Sequence, residues 1–178
     1  MKRLILVGLL AAALAAPACS RKTDGTTPPD RGSPSAGKPF KAELTRLDGS
    51  KLVLPDDLKG KVVLVDFWAT WCPPCVASVP ELKRLYGKYH GQGLEIVGIS
   101  LDEDRSALER FIKDRDLAWI HTFSGMQWAD PTAKDHGVDS IPNTWLVGRD
   151  GMIITDQAEQ RLEESIADAL KAPARHAH

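Results

Sequence analysis

Two cysteines stand three positions apart, Cys72 and Cys75, separated by Pro73 and Pro74 and preceded by Trp71. Thiols at that spacing can close a small disulfide ring. At a helix start such a ring becomes chemically active, because free N–H groups and the positive end of the helix dipole favour a thiolate. The flanking sequence supplies that setting. Val62 to Trp68 is an apolar run that reads as a strand, and Val76, Val79, Leu82, Leu85, Tyr86 and Tyr89 then recur at near-helical spacing. Strand, short turn and CxxC at a helix N-terminus point to thiol–disulfide exchange.

In that chemistry Cys72, at the helix start, is the expected nucleophile. Such positions lower a cysteine pKa from about 8.5 to roughly 3.5–7.5. Cys75, one turn further in, is the expected resolving thiol. Asp66 lies six residues before Cys72 on a strand that is otherwise apolar. Burial would raise its pKa and suit it to exchange a proton with Cys75, directly or through water. The plain alternatives are an inert structural disulfide and a carboxylate that only accepts hydrogen bonds within the sheet.

The third cysteine, Cys19, stands apart from this pair. Met1-Lys2-Arg3 is a short basic start, Leu4 to Ala16 is apolar, and Ala16-Pro17-Ala18 has small residues at cleavage spacing. Residues 1–18 therefore read as a secretory signal peptide, too short for a comfortable membrane span. Cleavage before Cys19 would resemble a bacterial lipoprotein leader, with Cys19 acylated. Cleavage after Ala-x-Ala would leave it as a free thiol, a liability in an oxidising compartment. The expected location is the bacterial periplasm or cell envelope, with the membrane reached through a lipid on Cys19. Residues 19–38, rich in Ser, Thr, Gly, Pro and charge, cannot bury enough apolar surface to order themselves and read as a disordered tether.

Residues 39–172 have the size of one domain, and 173–178 form a polar tail. The formal charge of -1, from 23 basic and 24 acidic residues, gives no electrostatic reason to expect nucleic acid. A structural zinc site needs about four Cys or His ligands, usually in spaced pairs, and no second pair accompanies the CxxC. Neither a metal nor another cofactor is expected.

The elements that must position the cysteines follow in order. Phe40 to Leu47 and Lys51 to Leu54, joined by Asp48-Gly49, make an N-terminal hairpin. Val62 to Trp68 and Leu94 to Leu101 are buried strands, and a helix from Cys72 links them, with a kink expected at Pro80. Leu108, Phe111 and Ile112 mark a second helix. Trp119 to Phe123 is a short strand or an edge. Asn143 to Val147 and Met152 to Thr155 form a hairpin about Asp150-Gly151, and Leu162, Ile166, Ala169 and Leu170 define a terminal amphipathic helix. This order predicts an α/β fold with a mixed sheet between helices.

Val65-Asp66-Phe67-Trp68-Ala69-Thr70-Trp71-Cys72-Pro73-Pro74-Cys75 resembles the thioredoxin superfamily, most closely its tethered bacterial branch, the TlpA/ResA family. Gly137 to Val147 resembles that family's cis-proline loop and following strand. The resemblance spans roughly residues 39 to 170. It implies a thioredoxin-like fold and a cis Pro142 facing the CxxC. It also implies a client groove lined by Trp71, Pro73, Ile141 and Pro142. Exported proteins with disulfides would be the clients, a membrane thiol protein the electron donor, and the chain a monomer. Some members act in cytochrome c maturation. Here Ser78 and Asn143 stand where many members carry acidic residues, and Asp66 where many carry asparagine, so the resemblance speaks to chemistry more than to client.

Three other readings compete. A peroxiredoxin needs Thr or Ser three residues before its cysteine and Pro seven before, where Ala69 and Val65 stand. A copper-delivery protein needs wider cysteine spacing and a matching histidine. A binding module would use the CxxC only as a staple. Core packing is the alternative for Trp71. Trp68 and Trp145 are expected in the core, and Trp128, in a loop, has no assigned role.

Overall fold

The computed structural model describes residues 33–173. The expected signal peptide, Cys19 and most of the expected tether lie outside the described residues, as do residues 174–178. Among the described residues seven strands and four α-helices follow one another: β1 (Ala42–Thr45), β2 (Lys51–Leu54), β3 (Val62–Trp68), α1 (Pro73–Tyr89), β4 (Leu94–Ser100), α2 (Arg105–Arg115), β5 (Ile120–Phe123), α3 (Pro131–Asp135), β6 (Asn143–Val147), β7 (Ile153–Thr155) and α4 (Leu162–Lys171). β1 and β2 pair as a separate antiparallel hairpin, and the other strands form one sheet in the order β5-β4-β3-β6-β7. β3 runs parallel to β4 and antiparallel to β6, so the sheet is mixed, as expected.

β3 lies at the centre because every residue from Val62 to Trp68 is buried. A strand covered on both faces has no use for polar alternation, which is why its sequence is a nearly continuous apolar run. β4 is buried along its length too, although it contains Glu95. That carboxylate is held by Lys61 Nζ at 3.2 Å and the Tyr86 hydroxyl at 3.1 Å, so it is not buried unpaired.

α1 buries Cys75, Val79, Leu82, Leu85 and Tyr89 against the sheet and runs unbroken from Pro73 to Tyr89 with Pro80 inside it. α4 docks beside α1 through Glu163, which accepts hydrogen bonds from Arg84 and Lys88, both at 2.7 Å. The β6–β7 turn needs Gly151, with φ of +80°. A Cβ there would also lie 2.4 Å from Pro55 Cβ, where the turn passes close to the hairpin.

Two features depart from the sequence reading. Residues 33–38, assigned to the tether, are fastened to the domain. Gly37 N–H donates to Ile153 O at 2.8 Å, and Ile153 N–H donates to Lys38 O at 2.8 Å. Backbone pairing with β7 orders this segment, which composition alone does not reveal. The short α3 was also not anticipated. Asp130 caps it by accepting from Ala133 N–H at 2.9 Å, and Pro131 occupies its first turn.

Candidate active site

Cys72 and Cys75 are joined as a disulfide at the junction between β3 and α1. Cys72 is the N-cap of α1, and its sulfur accepts from Cys75 N–H at 3.3 Å. The first-turn amides of a helix have no intrahelical acceptors, so this sulfur sits where negative charge is stabilised. Cys72 is 4% exposed and Cys75 2%, a slim difference. Position separates them better: Trp71 and Pro73 on either side of Cys72 are exposed, whereas Cys75 belongs to the buried face of α1.

The loop before β6 completes the site from the other side. The Ile141–Pro142 peptide bond is cis, and Ile141 O lies 3.8 Å from Cys72 Sγ. Residues distant in sequence meet here because β6 pairs antiparallel with β3, Asn143 opposite Phe67. Pro142 offers no N–H to compete for the sulfur.

Asp66 is buried, with 5% of its surface exposed. Burial pushes its pKa up to about 7, the Glu159 carboxylate pushes the same way, and the Thr144 hydroxyl, donating at 3.5 Å, opposes both. That hydrogen bond goes to Thr144 on β6, not to either sulfur. Of the residues singled out in the sequence, Cys72, Cys75, Ile141 and Pro142 therefore cluster. Asp66 lies on the central strand, between Gly98 of β4 and Thr144 of β6, and Trp71 and Pro73 are exposed on either side of Cys72. Trp71 is 48% exposed, which removes it from the core, while Trp68 and Trp145 are buried.

Sequence reasoning missed the group that fixes the turn into the CxxC. Buried Asp102 accepts from Thr70 N–H at 3.1 Å, from Thr70 Oγ1 at 2.6 Å and from Ser100 Oγ at 2.7 Å. The parallel register sets Trp68 opposite Ser100, so Thr70 and Asp102, two residues beyond each, meet at the ends of their strands. Among the described residues, no group of three or more His, Cys, Asp or Glu side chains could hold a metal ion. The arrangement supports two-electron exchange between a dithiol and a disulfide.

Comparison with known proteins agrees. A family model described as Redoxin matches residues 13–171. The chain is 34% identical over 128 residues to the thiol-disulfide oxidoreductase ResA of Bacillus thuringiensis subsp. konkukian, covering 72% of each protein. A thiol-disulfide oxidoreductase from Bacteroides fragilis superposes with a TM-score of 0.65 at 30% identity, covering 72% of this chain and 96% of that one. The thioredoxin domain of a Bacteroides vulgatus thiol-disulfide oxidoreductase superposes with a TM-score of 0.70 at 23% identity, over 78% of this chain and all of that domain, a likeness of fold alone. The chain belongs to the Redoxin family, as a TlpA/ResA-like thiol–disulfide oxidoreductase of the thioredoxin superfamily.

Proposed function

We propose that this oxidoreductase works outside the cytoplasm and reduces disulfides of exported client proteins. One observation carries the reading: Cys72 caps α1 between two exposed neighbours, with its sulfur 3.8 Å from Ile141 O beside the cis Pro142. In the reduced protein the Cys72 thiolate attacks one client sulfur, and the other client sulfur leaves as a thiolate and takes a proton. The Cys75 thiolate then attacks Cys72, reforming the internal disulfide and releasing the first client sulfur as a thiol. Two electrons pass to the client, and a membrane dithiol donor restores them. Asp66 takes the proton that Cys75 loses. Trp71, Pro73, Ile141 and Pro142 form the groove in which the client lies, and an acylated Cys19 holds the domain at the membrane.

Insulin reduction with a dithiol donor tests the reading. Cys72→Ser should abolish it, and Cys75→Ser should trap mixed disulfides. Faster alkylation of Cys75 than of Cys72 in the reduced protein near pH 7 would reverse the assignment. The direction is read from the reduction potential, which for a reductant lies nearer thioredoxin, about −270 mV, than DsbA, about −120 mV. Mass spectrometry of the mature N-terminus decides the anchor: a free Cys19 thiol, or a chain starting elsewhere, refutes acylation.

A further inference from the structure

Few large apolar side chains of the described domain are exposed, and three of them lie on two short segments that meet beside the disulfide. Trp71 is 48% exposed, Met126 50% and Trp128 42%; Val53, on the hairpin, is the other. The rings of Trp71 and Trp128 are 6.3 Å apart between centroids and inclined at 60°, so they touch without covering each other. Trp71 adjoins Cys72 in the chain. Trp128 belongs to a 3₁₀ turn, Gln127–Ala129, between β5 and α3, and Met126 immediately precedes it.

That turn is built to hold its shape. Ser124 Oγ accepts from Met126 N–H at 3.3 Å. Ala129 and Asp130 N–H donate to Met126 O and Gln127 O at 2.8 and 3.0 Å. Buried Asp130 then caps α3, tying the turn to the next helix. Gln127 takes a φ of +47°, in the left-handed region that a side chain of its size seldom adopts. An aromatic residue held outward by such a turn gives up little entropy when a partner covers it.

We propose that Trp71, Trp128 and Met126 form a subsite for an aromatic or large aliphatic side chain of the client, one or two residues from its reacting cysteine. The inference rests on the reading of Cys72 as the nucleophile. A client cysteine bonded to Cys72 must lie against this rim, so the subsite continues the surface on which the reaction takes place. An extended segment advances about 3.4 Å per residue, which brings the next side chains over the tryptophan pair. The Met126 thioether can adapt to differing shapes. Extended or unfolded segments meet this demand, because folded proteins bury such side chains near their disulfides.

Single-turnover oxidation of the pre-reduced protein by symmetrical peptide disulfides tests the proposal. In one peptide the cysteine is flanked by Leu and Trp, in the other by Ser. The wild-type protein should react about fivefold faster with the first, which is the worth of one aromatic contact of roughly 1 kcal/mol. Trp128→Ala should bring the ratio close to one, and Trp128→Phe should retain most of it. Equal rates with both peptides in the wild type, or a ratio that survives Trp128→Ala, would overturn the subsite while leaving the oxidoreductase reading intact. No reaction with either peptide would sink that reading, and the subsite with it. If Trp128→Ala instead leaves the ratio alone and weakens binding to phosphatidylglycerol vesicles, the face belongs to a lipid surface and the proposal is wrong.

Discussion

Replacing Asp66 by asparagine separates a catalytic carboxyl from a structural one, because the two roles predict different dependences on pH. In the folded protein burial, aided by Glu159, lifts the Asp66 pKa from 3.8 to about 7. The group binds its proton more tightly in the native state than in the unfolded one. Its neutral form thus favours the fold at low pH, and stability is lost as pH rises through the folded value. At 1.36 kcal/mol per pH unit, the penalty grows from nothing near pH 4 to about 4 kcal/mol above pH 7. Typical domains have a total stability of about 5–15 kcal/mol, so the effect is large.

Asp66→Asn removes the penalty. The oxidised variant should match the wild type within about 1 kcal/mol at pH 4, since both side chains are then neutral, and exceed it by about 4 kcal/mol at pH 8. Urea unfolding followed by tryptophan fluorescence, with the disulfide intact so that neither cysteine titrates, measures the difference across that range. A difference that does not change with pH would refute the raised pKa. The kinetic consequence runs the other way: the amide cannot take a proton from Cys75, so decay of the mixed disulfide should slow more than first attack. Equal decay rates would leave Asp66 a structural role only.

Three further outcomes follow from the same packing. Burial pushes the His121 pKa down to about 4, opposed by hydrogen bonding to the Leu117 backbone. Neutral His121 therefore supports the fold above pH 6.5, and that support, on the order of 3 kcal/mol, fades as pH falls through 4; His121→Phe should flatten the acid limb of the stability profile, and an unchanged limb counts against it. Gly98→Ala would place a Cβ 2.9 Å from Trp68 Nε1 and 3.1 Å from His121 Nδ1. Such overpacking should cost about 1–3 kcal/mol in urea unfolding, and a neutral result would mean the aromatic cluster gives way freely. Asp102→Ala strips Thr70 of its acceptor; it should cost roughly 2 kcal/mol and slow insulin reduction by up to about 100-fold, with Asp102→Asn recovering part of each, whereas full activity would show that the turn holds Cys72 without Asp102.

Much of this architecture was legible because its signals are local. Val62 to Trp68 announces a central strand by having no polar face, and the CxxC reads as a helix start because that strand precedes it and apolar residues at near-helical spacing follow it. Asn143 to Val147 and the Asp150-Gly151 turn are read the same way. The carboxyl of Asp66 could be placed in the core from its apolar neighbours alone. The charge that adds to the effect of burial could not, since Glu159 lies in a polar stretch just before α4 that reads as ordinary surface.

What escaped the sequence depends on register and on loop shape. Thr70 and Asp102 are 32 residues apart and carry no shared motif; they meet because β3 and β4 run parallel with Trp68 opposite Ser100. Trp128 is separated from Trp71 by two strands and two helices, and the turn ending at buried Asp130 brings the two rings together. Asp102 fixes the backbone that leads to Cys72, and Trp128 lies beside the tryptophan that precedes it. The chemistry of this oxidoreductase is thus written in a contiguous motif, while the placement of that chemistry is set by contacts that exist only once the sheet has assembled.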